Sequence, residues 1–136
     1  MLRPKNTKFR KHQKGSYKKG LKNFFYLEKA KQQTFCLETL QKSRLTAKQL
    51  DSARQVINKK IKSKSALLLK VFPDIPVTCK PTEVRMGKGK GSVEFWSCQV
   101  MPGTVLFEIG GIPREKAIYA LSCGASKLPV RVYISG

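Results

Sequence analysis

A segment that alternates glycine with lysine carries the clearest chemistry in this sequence. Its residues are Arg85, Met86, Gly87, Lys88, Gly89, Lys90 and Gly91. Glycine lacks the Cβ that would keep a polymer backbone at a distance, and it permits positive φ. Lysine adds positive charge without the planar fork through which arginine recognises one particular group. We name residues 85–92 the Gly-Lys loop and predict that it binds phosphates by shape and charge; a plain flexible linker is the alternative.

Catalytic side chains are scarce around this loop. His12 is the single histidine and lies in a basic N-terminal stretch. Glu83 and Glu94 bracket the loop, but ion pairing with Arg85 or Lys88 explains them more simply than general acid–base catalysis does. The GxxxxGK[ST] spacing of a nucleotide-binding P-loop is absent. We therefore expect no catalytic residues and no nucleotide hydrolysis; a basic enzyme that acts on RNA through the two glutamates is the competing hypothesis.

The cysteines of this chain show no metal-binding pattern. They are Cys36, Cys79, Cys98 and Cys123. No two of them have CxxC spacing, and the single histidine belongs to the basic N-terminal stretch. We expect reduced, partly buried thiols, with no metal and no cofactor.

The net charge of +20 predicts a polyanionic partner. The 136 residues include 28 lysines and arginines against 8 aspartates and glutamates, far more charge than solubility requires. Nucleic acid is the preferred partner, because neutralising its phosphates releases counterions. An anionic membrane surface is the alternative. The apolar runs 24–27 and 66–69 are too short to span a bilayer, and the basic N-terminus lacks the features of a secretory signal.

Residues 1–33 form a basic N-terminal arm in our interpretation. Residues 1–22 contain nine lysines and arginines and no acid, and their apolar residues are scattered. Such a segment cannot build a core, and we expect it to become ordered on a polyanion. Phe9 and Tyr17 are predicted either to stack on bases or to dock on the domain itself.

The elements that position the loop begin with a strand and a helix. Alternating residues predict a short strand over 34–40. Thr46 and Gln49 have the spacing of a capping box, so the first helix is predicted to begin at Thr46. The residues on its apolar face are Leu50, Ala53, Ile57 and Ile61. The opposite face can approach RNA and consists of Lys48, Arg54, Lys59, Lys60 and Lys62.

A strand and a hairpin are predicted on either side of the loop. Residues 67–72 are a candidate buried strand, and the prolines that follow favour extended or turning backbone. Residues 93–100 and 104–109 flank a Met-Pro-Gly turn and predict a β-hairpin. Trp96 and Phe107 are expected to be core residues or cross-strand partners, with base stacking as the alternative for Trp96.

The last predicted elements are a helix and a strand. Pro113 suits the first turn of a second helix that runs to about Ser122. Its inward residues are predicted to be Ala117, Ile118 and Leu121. A final strand over 128–134 follows. Because the elements neither alternate regularly nor are all helical, we predict one α+β domain over 34–136, with two helices packed on a mixed or antiparallel sheet.

Several blocks along the chain resemble the bacterial-type large-subunit ribosomal protein L-sixteen family. The most specific block is KPTEVRMGKGKG, residues 80–91. The other blocks are residues 2–11, 44–47, 71–74 and 127–129. They span nearly the whole chain in the order that is typical of the family. On these motifs the chain is identified as a member of that family.

This resemblance implies both a fold and a role. Members of the family have an α/β hammerhead-type sandwich that lies on large-subunit rRNA near the peptidyl-transferase centre, and their basic arm and loop approach aminoacyl-tRNA. By resemblance, we expect a structural constituent of the large ribosomal subunit that helps to position A-site tRNA. Its expected partners are large-subunit rRNA, A-site tRNA and neighbouring ribosomal proteins, with no homo-oligomer. A free-standing nucleic-acid-binding chaperone is the alternative.

The candidate site residues follow from the resemblance and from the basic helix face. In the tRNA-proximal set, residues 85–91, the side chains of Arg85, Lys88 and Lys90 would lie nearest the A-site tRNA and adjoining rRNA. The candidate rRNA-binding set is Arg3, Lys5, Lys8, Arg10, Lys11, Lys14, Arg44, Lys48 and Arg54. Phosphate contacts of this kind fix orientation without reading sequence.

One stretch departs from the family pattern. Members usually carry a glycine-rich segment where this chain has residues 24–33, which are rich in aromatic and lysine residues. We expect an adaptation to altered rRNA or to a neighbouring protein there. Together with the lysine enrichment and the cysteines, this divergence favours an organellar ribosome. Because the family pattern begins at Met1, we expect an organelle-encoded, mitochondrial chain, with plastid and bacterial ribosomes as alternatives.

Overall fold

The order of strands and helices is that of an α+β fold. A computed structural model describes residues 2–13, 15, 34–61 and 66–136. The elements of this part of the chain are β1 (Thr34–Thr39), β2 (Ser43–Thr46), α1 (Ala47–Ile61), β3 (Ala66–Leu69), β4 (Ile75–Cys79), β5 (Ser92–Val100), β6 (Val105–Gly110), α2 (Arg114–Ala125) and β7 (Val132–Ser135). Among the described residues, neither helix combines the length and the apolar character needed to traverse a bilayer.

The start of α1 is set by a reciprocal capping box. The backbone N–H of Thr46 donates to Gln49 Oε1 at 2.9 Å, and the N–H of Gln49 donates to Thr46 Oγ1 at 3.2 Å. Two N–H groups that the first helical turn leaves unpaired are thereby satisfied. The predicted apolar face is confirmed: Leu50, Ala53 and Ile57 are fully buried, and Ile61 packs against the core from its edge.

The strands form two separate antiparallel sheets. One sheet has the order β3-β6-β1-β7, and the other has the order β2-β5-β4. The antiparallel form of the predicted α+β fold is therefore the one adopted. The predicted hairpin between 93–100 and 104–109 is wrong, because β5 and β6 belong to different sheets. Phe107 is a buried core residue opposite Leu37 of β1, whereas Trp96 lies opposite Pro76 of β4.

Buried Thr39 holds the turn that carries the chain from one sheet to the other. The Thr39 hydroxyl donates to the carbonyl of Met101 at 2.6 Å. The N–H of Gly103 donates to the carbonyl of Thr39 at 2.7 Å. The N–H of Thr104 donates to the carbonyl of Met101 at 3.0 Å and so closes the turn. Because these polar groups bond to the end of β1, the turn directs β6 towards β1 instead of back along β5. The sequence pattern contained no sign of this partner.

Two short strands, β2 and β4, were not predicted from the sequence. β2 ends at Thr46, the first residue of the capping box, and the helix signal there had obscured the strand. β4 contains Pro76, a residue that argues against a central strand; proline is tolerated there because β4 is an edge strand of its sheet. β3 also ends at Leu69, three residues before the predicted end at 72.

The second helix differs from its prediction at both the start and the buried face. Pro113 has φ −56° and ψ 142°, which is not helical, so it caps α2 from outside its first turn. Ala117 and Leu121 are buried as expected, but Ile118 is 38 % exposed, and its inward role was wrong. The buried face continues instead through Ala120 and Gly124, at the spacing that one side of a helix requires.

α1 and α2 pack closely against each other at Gly124 of α2. A Cβ placed on Gly124 of α2 would lie 2.5 Å from Cγ1 of the buried Ile57 of α1. Side chains from both helices and both sheets join in one hydrophobic cluster, and Leu2 of the arm packs against it. The arm is thus fixed to the domain at its beginning.

Replacing Gly124 with alanine tests this closure. Although alanine is the better helix former, we expect Gly124→Ala to lower the free energy of unfolding by roughly 1–3 kcal/mol, because the added Cβ would overlap the fully buried Ile57 side chain. Urea unfolding of the purified chain measures the change. The control Ser122→Ala lies on the exposed side of α2 and should alter stability by no more than about 0.5 kcal/mol. Equal stability of both variants would contradict the close approach of the helices.

Candidate nucleic-acid interface

The Gly-Lys loop leaves the body of the protein as an exposed turn. Every residue from 81 to 90 is exposed, and the side chain of Met86 is 97 % accessible. Gly87, Lys88 and Gly89 have φ values of 94°, 53° and 89°. Glycine adopts such values freely, whereas an L-residue with a side chain does so at a cost. The backbone therefore reverses around Lys88 and presents its side chain at the exposed end.

The base of the loop is fixed on two sides. The ammonium group of Lys80 donates to the carbonyl of Gly87 at 2.5 Å. Gly91 lies so close to β4 that a Cβ there would approach the carbonyl oxygen of Cys79 to 2.2 Å. Ser92, the last residue of the loop, begins β5 and pairs with Cys79. The glycine at 91 is thus required by close backbone contact, and those at 87 and 89 by the turn.

The N-terminal arm contacts the Gly-Lys loop directly. The Lys11 ammonium group donates to the carbonyl of Lys90 at 2.7 Å, and the Lys90 ammonium group donates in return to the carbonyl of His12. Sequence reasoning assigned the arm and the loop separately and did not predict this contact. The acceptors are neutral carbonyl groups, so neither lysine loses its charge to a carboxylate. The contact joins two cationic segments without neutralising them.

The other candidate residues of the arm lie at the surface. Arg3, Lys5, Lys8, Arg10 and Lys11 are all exposed. Phe9 is 70 % exposed, and the Lys8 ammonium group is 5.6 Å from its ring centroid. A ring with this exposure is available for stacking and is not docked in the core. Lys14 and Tyr17, as well as the divergent segment 24–33, lie outside the described residues.

The candidates in β2 and α1 have different surroundings. Lys48 is exposed on α1, whereas Arg54 donates through Nη2 and Nε to a single oxygen of Asp51, at 2.8 and 3.2 Å. Because Asp51 partly compensates the charge of Arg54, Arg54 has less charge available for an anion than Lys48 has. Arg44 is half-buried in β2, opposite Gln99 of β5.

The basic side of α1 also reaches the second helix. Lys59 and Lys60 are exposed at the last turn of α1. The Lys60 ammonium group lies 5.2 Å from the ring centroid of Tyr119 and 3.3 Å from its hydroxyl oxygen. The hydroxyl is the main cause of a raised pKa at Lys60, so this lysine keeps its charge. Lys62 of the predicted face lies outside the described residues.

The two glutamates that bracket the loop do not neutralise it. Glu83 and Glu94 are exposed, and neither forms an ion pair with Arg85 or Lys88 within the described part of the chain. The predicted ion pairing was therefore wrong. An exposed pair gains little when both partners are well solvated, so the side chains extend separately. The positive charge at the tip of the loop is left available.

The cysteine thiols are free, as expected, and two of them belong to the core. Burial, with smaller contributions from the negative charges of Glu108 and Glu38, raises the pKa of the Cys36 thiol to about 11. Burial likewise raises the pKa of Cys98 to about 11. Cys79 is exposed beside the loop base, and Cys123 is half-buried. Among the described residues, no three histidine, cysteine or acidic side chains form a group that could hold a metal ion.

Comparison with known proteins agrees with the sequence motifs. The family model for ribosomal protein L16p/L10e matches residues 4–135. The large ribosomal subunit protein uL16 of Maricaulis maris (strain MCS10) is 48 % identical over 134 residues, which cover 98 % of this chain and 96 % of that protein. The proteins of the same name from Chelativorans sp. (strain BNC1) and Methylorubrum extorquens (strain PA1) are 49 % and 46 % identical, over 96 % and 98 % of this chain and 93 % and 96 % of theirs.

A substitution at Gly91 tests whether close packing fixes the loop base. Because the clash of Gly91→Ala is with backbone of β4, we expect the free energy of unfolding to fall by roughly 1–3 kcal/mol. Thermal unfolding followed by circular dichroism measures this change. The control Ser92→Ala affects an exposed neighbour and should keep stability within about 0.5 kcal/mol. A Gly91→Ala chain as stable as the control would show that the loop is not seated against Cys79.

The buried thiols predict a loss of stability at alkaline pH. An unfolded thiol titrates near 9.0, whereas folded Cys98 titrates at about 11. Between these values the unfolded state releases a proton that the folded state retains, so the free energy of unfolding falls as pH rises, by roughly 1–2 kcal/mol for this thiol. Urea unfolding at several pH values between about 8 and 11 measures the slope.

Two alanine variants isolate this thiol from other groups that titrate in the same range. Cys98→Ala should make the slope shallower, whatever its effect on stability at neutral pH. Cys79→Ala removes an exposed thiol and should retain the slope of the unsubstituted chain. Identical slopes in all three proteins would contradict the assigned role of Cys98.

Proposed function

The chain belongs to the ribosomal protein L16p/L10e family, and on this basis we propose that its Gly-Lys loop contacts A-site tRNA while its arm and α1 hold large-subunit rRNA. The protein is a structural constituent of the large ribosomal subunit and not an enzyme. Its partners are rRNA and other ribosomal proteins. The proposal includes the division into an arm, 1–33, and a domain, 34–136, and a position near the peptidyl-transferase centre.

The conformation of Lys88 is the observation that best supports a tRNA contact. Left-handed backbone costs an L-residue roughly 1–2 kcal/mol, and glycine would avoid that cost. Lys88 nevertheless occupies such a position, is exposed, and makes no hydrogen bond or ion pair within the described part of the chain. A strained residue without an internal partner points to a contact outside the protein. A tRNA phosphate suits a single exposed ammonium group.

The arm and α1 suit a positional role on rRNA. Their exposed lysines and arginines supply charge at many points, with Lys48 in a better position than Arg54 because Asp51 already engages the latter. Phosphate contacts fix the register of a protein on RNA without reading the bases. Phe9, exposed beside Lys8, adds a surface on which an unpaired base can stack.

The compartment is a separate part of the proposal. The lysine enrichment, the cysteines and the divergence of residues 24–33 support a mitochondrial ribosome. The similar proteins described above are bacterial, which supports the bacterial alternative. Peptide mass spectrometry of ribosomes from purified mitochondria, and of ribosomes from the remaining lysate, distinguishes the two.

Sedimentation of native particles tests the ribosomal assignment. The chain should migrate with the large subunit in stoichiometric amount through a sucrose gradient at moderately high salt, and it should stay there after the subunits are separated. A free-standing nucleic-acid chaperone would be found in light fractions. Family membership lends no support to that alternative.

A charge substitution at the tip of the loop tests the proposed tRNA contact. In ribosomes reconstituted with Lys88→Gln, we expect A-site tRNA affinity to fall by about 3- to 10-fold, because one ammonium–phosphate contact is lost. Incorporation into the subunit should not change. The control Lys116→Gln removes the same charge from the exposed side of α2 and should leave tRNA affinity intact. Equal affinities for both variants would refute a tRNA contact at Lys88.

A further inference from the structure

The reciprocal contact between the arm and the Gly-Lys loop suggests that the two segments bind RNA as one unit. We propose that Lys11 and Lys90 form a composite phosphate-binding site in which each lysine positions the other, so that RNA bound by the arm also fixes the loop. This inference rests on the proposed function, because it assumes that both segments face RNA.

The pairing itself is the first step of the argument. Lys11 and Lys90 are separated by 79 positions in the sequence, yet each ammonium group donates to a main-chain carbonyl of the other segment. An ammonium group has three donors, and one of them is used here. The remaining donors of both lysines are free to bind phosphate oxygens at the junction.

Charge is the second step. The junction brings cations together, and within the described residues neither Glu83 nor Glu94 compensates them by ion pairing. Like charges held in proximity repel each other, and an anion bound between them removes that repulsion. A phosphate at the junction therefore strengthens the arm–loop contact, and the contact in turn strengthens phosphate binding.

The anchoring of both segments is the third step. Leu2 fixes the beginning of the arm to the hydrophobic cluster, and Lys11 and His12 meet the loop further along. The loop is held at its base by Lys80 and by the packing of Gly91. The contact with the arm is thus a third support for the loop. Its exposed hydrogen bonds are individually weak, so a ligand can shift them.

A double-mutant cycle on the full chain tests the coupling. Lys11→Gln, Lys90→Gln and the double variant would be titrated against a fluorescein-labelled RNA duplex of about 16 base pairs, a length that a small RNA-binding domain can span. We expect each single substitution to weaken binding. The double variant should bind at least about threefold more tightly than the product of the single effects predicts, because the first substitution already disrupts the shared site.

Matched controls separate coupling from simple loss of charge. Lys5→Gln and Lys88→Gln remove one charge from the arm and one from the loop, at residues that make no hydrogen bond across the junction. Their effects should multiply. Lys11→Arg keeps a charged donor and should restore most of the affinity that Lys11→Gln loses. If Lys11→Gln weakened binding only by disturbing the local structure, arginine would not be expected to restore it.

A measurement without RNA tests the contact between the arm and the loop independently of RNA affinity. Hydrogen exchange at the amides of residues 87–91 should be faster in Lys11→Gln than in Lys5→Gln. Unchanged exchange together with multiplicative effects of Lys11→Gln and Lys90→Gln on RNA binding would overturn the composite site and leave the proposed function standing. Failure of the unsubstituted chain to bind the duplex at low salt would overturn both the composite site and the proposed RNA contacts of the arm and the loop.

Discussion

Mutual repulsion among 28 lysines and arginines, opposed by only 8 acids, is the constraint on which the structure depends. Burying an unpaired charge is costly, so the lysines and arginines that the structure describes are exposed or half-buried, and the interior consists mainly of apolar side chains. In the part of the chain that the structure describes, ion pairs join Arg54 to Asp51 on one helix and Lys70 to Glu108 across neighbouring segments of a sheet. At the arm–loop junction, neutral carbonyl groups take the place of carboxylates, which orders the lysines and preserves their charge.

The hydrophobic cluster holds in place the elements that carry the cationic loop. Gly124 allows α1 and α2 to approach closely, and buried Thr39 holds the turn between the two sheets. β4 and β5 then carry the Gly-Lys loop, with Gly91 seated against the backbone of Cys79. Packing is tight at the base of the loop, and its tip is exposed. A firmly held base with an exposed cationic tip suits a structural constituent of the ribosome, which performs no reaction.

The sequence was informative wherever an element depends on neighbouring residues. The capping box at Thr46 and the buried face of α1 were predicted correctly, because both arise from contacts three or four positions apart. β4 was missed because Pro76 argues against a strand unless the edge position is known. The exposure of the Gly-Lys loop followed from its glycines and lysines, whereas the predicted pairing of Glu83 and Glu94 with the loop cations did not occur.

The sequence by itself therefore determined the charge, the family, the helices and the chemistry of the loop. These properties follow from composition, from motifs and from short-range periodicity. Only the tertiary structure decided that β5 and β6 lie in different sheets and that Lys11 meets Lys90. Strand partners and contacts between distant segments depend on how the whole chain buries its apolar surface, and a local pattern of residues carries no information about which distant residues will become neighbours.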